Sequence, residues 1–179
     1  QLGGEKLPVG EKHKDWDEPM ACPKSEVTAT MEVAMPMFNL ACKCEPLGTG
    51  DEAIREEMVA DLAAEALFGE SSELYLKLYE EGLIDSSFGG GFETIDGCAM
   101  LLCSGDSENA PAVREAILAQ AEKLSREGLP ESDFLRMKRS ALGRRIRGLD
   151  SFDATCFRVC AYHFSDFEYF RFPEVYQQI

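Results

Sequence analysis

Residues 68–88 read FGESSELYLKLYEEGLIDSSF, and the rest of the chain is arranged around this stretch. It spells the end of one helix, a tight corner, a second short helix and the approach to a strand. Gly69, Ser71 and Ser72 interrupt the first helix, and the two hydroxyls are suited to cap the second. Leu74 and Leu78 stand four apart and share a helix face, as do Tyr75 and Tyr79. Gly82 falls where a helix commonly ends in a left-handed residue. By spacing alone this is a helical corner between a core helix and a sheet, with nothing reactive in it.

Working outward toward the N-terminus, a long helix precedes the corner. Ile54, Met58, Leu62 and Ala66 recur every four residues with Ala63 and Leu67 beside them, the stripe of a helix packed on a sheet. Thr49 and Glu52 have the spacing of a capping box at its start. Before it, Val27, Ala29 and Met31 alternate with Thr28, Thr30 and Glu32, and MPMFNLACKC runs nearly apolar. This predicts a strand from about Val27 to Cys44, buried on one or both faces. Residues 1–25 are rich in Lys, Glu, Pro and Gly with no apolar periodicity, and read as a linker or extended arm whose one large anchor is Trp16. The domain proper is expected over 26–179. Because the chain begins with Gln1 rather than Met, it is expected to be a processed product or an excised piece.

Toward the C-terminus, residues 87–95 and 98–104 read as two strands joined at Asp96-Gly97, a dipeptide suited to the positive φ angles of a hairpin turn. The triple glycine Gly89–Gly91 lacks the Gly-Lys-Ser/Thr of a phosphate loop and points to a bulge or a close backbone approach. Asn109 and Pro111 open a third helix with Val113, Ile117, Ala121 and Leu124 as its buried stripe, stopped by Gly128. Pro130 opens a fourth, with Leu135, Leu142, Ile146 and Leu149 in register. Its other face carries Arg136, Lys138, Arg139, Arg144, Arg145 and Arg147, the one basic cluster in an acidic chain. Two readings stand: a solvated face with cations near the carboxyl end of the dipole, or contact with an acidic surface of a sister domain or substrate. A fifth helix opens at Ser151 and Asp153, with Phe152, Cys156, Cys160 and Phe164 stepping by four. Phe167, Tyr169, Phe170 and Phe172 then form a short strand or an apolar cap, and Pro173 begins a tail.

Composition narrows the classes. A net charge of −15, from 33 acidic and 18 basic residues, repels nucleic acid phosphates and anionic lipid. No apolar run approaches the ~20 residues of a membrane span. Of the seven cysteines at 22, 42, 44, 98, 103, 156 and 160, most lie among apolar neighbours on predicted strands and helices and read as reduced core residues of a cytoplasmic protein. Cys42 and Cys44 are too close for a zinc knuckle, and Cys156, Cys160 and nearby His163 offer too few ligands in register. With His13 and His163 the only histidines, no H-E-x-x-H or H-x-x-E-H is present. Glu56-Glu57 and Glu80-Glu81 diverge by ~100° on a helix and read as solvated surface. The residues alone predict an α+β fold, a two-layer sandwich of mostly antiparallel sheet packed against helices, with no active site of its own.

The order strand, long helix, Gly-Ser corner, short helix, Gly-Leu, hairpin and further helices resembles the repeating domain of M16 (pitrilysin-type) zinc metallopeptidases. The corner carries the likeness: Gly69, Ser72, Leu74, Leu78, Glu80, Gly82 and Leu83 fall on that family's Gly-x-x-Ser-x-Leu…Glu…Gly-Leu pattern. Met37 to Cys44, Gly97 and LPESDFLRMKRSALGRRI (129–146) add to it, and the likeness runs from about Val27 to Phe172. The family's zinc motif belongs to the N-terminal half, so the resemblance implies no metal on this chain and zinc in a partner half. The Arg and Tyr with which the catalytic family's C-terminal half holds substrate are replaced, by Tyr79 and by Asp85 or Ser86. The resemblance therefore implies a non-catalytic domain of a bacterial, cytoplasmic zinc peptidase, forming one wall of a chamber for unfolded peptides beside a catalytic half or sister subunit. The alternative is a scaffold module of a proteolytically inactive paralogue.

Overall fold

The computed structural model describes residues 19–95 and 97–179. Trp16, His13 and most of the expected arm lie outside the described residues, as does Asp96 in the hairpin turn. The described elements run β1 (Met37–Cys44), α1 (Gly50–Phe68), α2 (Glu73–Glu80), β2 (Gly89–Ile95), β3 (Cys98–Asp106), α3 (Ala110–Glu127), α4 (Glu131–Gly148) and α5 (Phe152–Phe164). A single 3-10 turn (Tyr169–Arg171) and α6 (Phe172–Gln178) complete them.

The three strands form an antiparallel sheet in the order β1-β3-β2. The β2–β3 hairpin is where the Asp-Gly signal placed it, with Gly97 at φ +79°. Its register is unbroken from Gly89↔Ser104 to Ile95↔Cys98, so the triple glycine makes no bulge. It does permit a close approach at Gly90. A Cβ there would stand 2.6 Å from the Phe68 ring and 2.7 Å from both Cys103 Cβ and the Leu102 carbonyl.

Helix α1 is the beam of the molecule. Its C-terminal Ala64, Leu67 and Phe68 join Leu74, Leu78, Phe88, Cys103, Val113 and Ile117 in a core between the sheet, α2 and α3. Its Ile54, Met58 and Leu62 join a second core with Met137, Ala141, Tyr162, Phe167, Phe172 and Tyr176 from α4–α6. Leu62 and Ala64 are ~200° apart around the helix, so the two cores lie on opposite sides of α1. The antiparallel sheet packed on helices is as the sequence predicts, with α4–α6 added on the far side of the beam.

Several expectations are corrected. The first strand begins at Met37; Val27, Met31 and Val33 are exposed, and no strand forms over residues 26–36. Alternation there is not matched by any facing apolar surface. The Thr49 hydroxyl makes no cap hydrogen bond; instead the Gly50 N–H donates to the Ser165 carbonyl at 2.7 Å, so the α5 terminus supplies the acceptor. Helix α4 is rotated from its predicted facing: Phe134, Met137, Ala141 and Leu142 face the core, whereas Leu135, Ile146 and Leu149 are exposed. In α5 the stripe Phe152, Cys156, Cys160 and Phe164 faces solvent, with Phe152 80% and Phe164 84% exposed. Tyr162, on the other side, takes the inward position. Phe167, Tyr169 and Phe172 form the apolar cap, as a 3-10 turn and a helix rather than a strand. Pro173 lies in the first turn of α6 instead of opening a tail, where its missing N–H costs nothing.

Of the cysteines, all of which are free, Cys103 alone is buried, and burial raises its thiol to about 11. The expectation of core cysteines therefore fails for Cys42, Cys156 and Cys160, which are exposed, as is Cys22. A thiol reagent should label these four readily and Cys103 only on unfolding. The crowding at Gly90 makes a second expectation. Gly90→Ala should lower stability by roughly 1–3 kcal/mol through overpacking, read as a shifted denaturation midpoint. Gly91→Ala, with open space at its Cβ, should shift it far less.

Candidate functional site

The corner is built by local chemistry that the sequence announces. At Gly69 the N–H donates to the Glu65 carbonyl at 2.9 Å. A side chain there would sit 2.5 Å from that same oxygen, so only glycine lets the chain turn so tightly. The Ser72 N–H donates to the Gly69 carbonyl, and the buried Ser72 hydroxyl accepts from the Tyr75 N–H at 3.1 Å. Ser71 does not cap; its hydroxyl meets Arg136 of α4 at 3.5 Å. Leu74 and Leu78 are 3% and 0% exposed. Gly82 closes α2 at φ +67°, and the Leu83 N–H donates back to the Leu78 carbonyl at 2.9 Å. Leu83 itself packs against the core, while Glu80 is exposed.

Tyr79 stacks on Tyr75 with centroids 5.8 Å apart and is 53% exposed. Ser86 is also exposed. Beside it, the Asp85 carboxylate accepts from the Ser87 N–H at 2.7 Å, and these Ser87 hydrogen bonds hold its carboxyl below the usual range. The Ser87 hydroxyl in turn accepts from the Asp106 N–H, which pins the corner to β3. The corner residues thus form a scaffold, and Tyr79 and Ser86 stand on its wet side.

The sheet has two unlike faces. Phe38, Leu40, Leu101 and Cys103 face the helices. Residues directly opposite in an antiparallel ladder share a face, so Met37, Asn39, Ala41 and Lys43 lie with Met100, Leu102, Ser104 and Asp106 on the other. Gly89, Gly91, Glu93 and Ile95 continue it. None of these belongs to either core, and Met37 and Ile95 are 68% and 60% exposed. This open face mixes apolar, polar and charged groups, and the Lys43 ammonium there donates to the Pro19 carbonyl at 2.8 Å.

On the far side of α1 lies a charged cluster that sequence reasoning missed. The Arg145 guanidinium sits 3.7 Å from Glu57 and 3.8 Å from Asp61, over the rings of Tyr162 and Tyr176 at 5.6 and 6.0 Å. Its Nη1 is buried without a hydrogen-bond partner among the described residues. The Tyr162 hydroxyl donates to Glu57 at 2.8 Å. Burial pushes the Tyr162 phenol far up, with Arg145 pulling it down and Glu57 adding to the rise, so it stays a donor. Arg144 reaches Glu65 at 3.1 Å. The acidic surface met by the basic helix is therefore the chain's own α1. The spacing Glu57, Asp61, Glu65, four apart on α1, was the available signal.

A cavity of about 560 Å³ lies between Glu65 of α1, Ser72 and Glu73 of α2, Lys123 of α3 and Met137 of α4. Lys123 binds Glu73 at 2.7 Å, and hydrogen bonds from Lys123 and Gln120 lower that carboxyl. Among the described residues no three His, Cys, Asp or Glu side chains come together to hold a metal ion, so a zinc ion does not fit the donor set seen here. No helix among them is long and apolar enough to cross a membrane.

The Ser72 cap is testable. Ser72→Ala should cost ~1 kcal/mol and lower the melting temperature by about 2–4 °C in a domain of this size, whereas Ser71→Ala should leave it nearly unchanged.

Three comparisons bear on this architecture. Residues 4–141 match the family model described as the peptidase M16 inactive domain. The chain is 28% identical over 169 residues to the uncharacterized zinc protease YmfH of Bacillus subtilis (strain 168), covering 94% of this chain and 39% of that protein. An M16-like peptidase from Alicyclobacillus acidocaldarius superposes with a TM-score of 0.76 at 22% identity, over 82% of this chain and 36% of that one. A protease from Helicobacter pylori gives 0.66 at 18% identity, over 82% and 35%. The chain thus spans somewhat over a third of the length of these relatives.

Proposed function

The chain belongs to the family of peptidase M16 inactive domains, and we propose that it is the non-catalytic domain of an M16-like zinc metalloendopeptidase whose open sheet face forms one wall of a peptide-binding chamber. The observation that carries this reading is the asymmetry of the sheet. One face is sealed by α1–α3, while the other presents Met37, Asn39, Glu93 and Ile95 to solvent. A surface of alternating character suits extended peptides of varied sequence. Their backbones can lie along strands while side chains meet either apolar or polar neighbours. The zinc and the water-activating base are assigned to a catalytic half or sister subunit, in keeping with the match to the M16 inactive domain. Gly69, Ser72, Leu74, Glu80, Gly82 and Leu83 frame the corner that supports this wall.

A second reading has one observation in its favour. Where the family resemblance expects a substrate-holding Arg and Tyr, this chain carries Tyr79 and Asp85 or Ser86, exposed residues without the guanidinium that would grip a peptide carbonyl or carboxylate. On that reading the chain is a scaffold module of an inactive paralogue. Whether the other half carries H-x-x-E-H separates the two.

The test is reconstitution. The isolated chain should hold no stoichiometric zinc and cleave no peptide. Addition of a half carrying H-x-x-E-H should produce cleavage, and the double change Met37→Glu, Ile95→Glu should lower kcat/KM of the assembled enzyme roughly tenfold (about 1.4 kcal/mol) with zinc content unchanged. Cleavage by the isolated chain would overturn the reading. Assembly with a zinc-loaded half that yields no cleavage would favour the scaffold.

A further inference from the structure

The described residues form two packed units that share only α1 as a common core element. The sheet, α2 and α3 pack on one side of it, and α4–α6 on the other. The chain passes from one unit to the other through Gly128, Leu129 and Pro130, with Gly128 at φ +72°, a conformation that favours glycine. The cavity of about 560 Å³ has walls from both units, Ser72 and Lys123 from the first and Asp133 and Met137 from the second. Rotation of α4–α6 about the Gly128–Pro130 link would therefore change its width.

Where the second unit meets α1, two carboxylates face one guanidinium. Glu57 and Asp61 are one turn apart on α1, and Arg145 of α4 lies within 4 Å of both. We propose that α4–α6 form a hinged flap on α1, and that Glu57, Asp61 and Arg145 are its proton-sensitive clasp, closing the flap more firmly as the medium becomes acidic.

The charge balance at the clasp gives the direction. With both carboxylates ionised, one negative charge is left over in a half-buried site. Glu93 on β2 adds to the excess and Arg144 on α4 offsets it, though Arg144 is itself engaged by Glu65. Tyr162 of α5 and Tyr176 of α6 face the cluster as neutral phenols, both raised by burial. A proton therefore goes to Asp61, whose carboxyl is raised to about 6 by burial and by Glu57. The closed value lies above that of an open, solvated aspartate, so the closed flap binds a proton that the open one does not. Closure gains as pH falls through about 6, and the gain is complete below the solvated value near 4. The Asp61 side chain keeps 42% of its surface in solvent, which tempers the effect. With the proton in place, Glu57 and Arg145 form a balanced pair held by the Tyr162 hydroxyl.

Amide hydrogen exchange on the whole 179-residue chain tests this, with protection corrected for intrinsic exchange and α5–α6 compared with β3 in the same sample. Between about pH 7.5 and about pH 5.5 the protection of α5–α6 relative to β3 should rise about fourfold, the factor that a carboxyl titrating at about 6 when closed and near 4 when open gives over that range. In Asp61→Asn the ratio should be high at both values and independent of pH. Asp61→Ser is the second variant should the first not fold, and it too should show no pH dependence. A wild-type ratio that does not rise, or a variant that keeps the rise, would overturn the proposal.

Discussion

The constraint that the molecule is built around is that α1 must bury two opposite sides. Ile54, Met58 and Leu62 form one apolar stripe, and Ala64, Leu67 and Phe68 form another on the reverse. A helix apolar on one stripe needs a single partner layer, whereas one apolar on both must be enclosed. The sheet with α2 and α3 satisfies one side, leaving the other to α4–α6. The boundary between the two stripes carries Glu57, Asp61 and Glu65, four apart along the seam where the second unit arrives. The rotation of α4 follows from that seam. Turning Leu135 and Ile146 inward, as hydrophobic register alone suggests, would carry Arg145 away from two half-buried carboxylates. The observed rotation leaves two aliphatic side chains wet and neutralises the seam, and half-buried unpaired charge is the costlier of the two defects.

An arginine in that position is better read as an orienting group than as a source of stability. Its side chain is only 13% exposed, so much of the attraction it gains from Glu57 and Asp61 is offset by lost hydration. The contacts are ion-pair distances rather than bidentate hydrogen bonds, and one nitrogen is buried without a hydrogen-bond partner among the described residues. What the arrangement does supply is a unique register between α1, α4, α5 and α6. Tyr162 can reach Glu57 only from one rotation of α5, and that rotation sends Phe152 and Phe164 outward. The exposed aromatic stripe is thus a consequence of satisfying a polar seam.

This also explains which parts of the chain were legible. Caps and turns are local, and they read correctly from residue type. Ser72, Asn109 and Ser151 each accept a backbone N–H at a helix start, Gly82 and Gly128 end helices at positive φ, and Gly97 lies in the hairpin turn. The stripe of α1 is regular enough to mark the helix and its burial. The corner pattern from Gly69 to Leu83 was sufficient to identify the family. The facing of α4 and α5 was not legible, because in both helices the apolar residues spread wider than one stripe and the choice between stripes is made by charges some 80–105 residues away in sequence, Glu65 for Arg144 and Glu57 for Tyr162. Thr49 failed for a related reason: a carbonyl from Ser165 supplied what its hydroxyl was expected to give.

Two surfaces carry exposed apolar side chains among the described residues, and their chemistry distinguishes them. The stripe on α5 is dense in phenylalanine, with Phe152, Phe157 and Phe164 each at least three-quarters exposed. Large aromatic area of this kind is what durable protein contacts bury in their centres. The open sheet face differs: its apolar Met37, Leu102 and Ile95 are interleaved with Asn39, Lys43, Ser104 and Glu93, and no single apolar patch dominates. A wall that meets a succession of different peptides cannot be so apolar that any one of them stays. Exchange requires many weak, exchangeable side-chain contacts. The mixed composition of the sheet face meets that requirement and the α5 stripe does not, which is the physical reason for proposing the sheet, rather than α5, as a chamber wall.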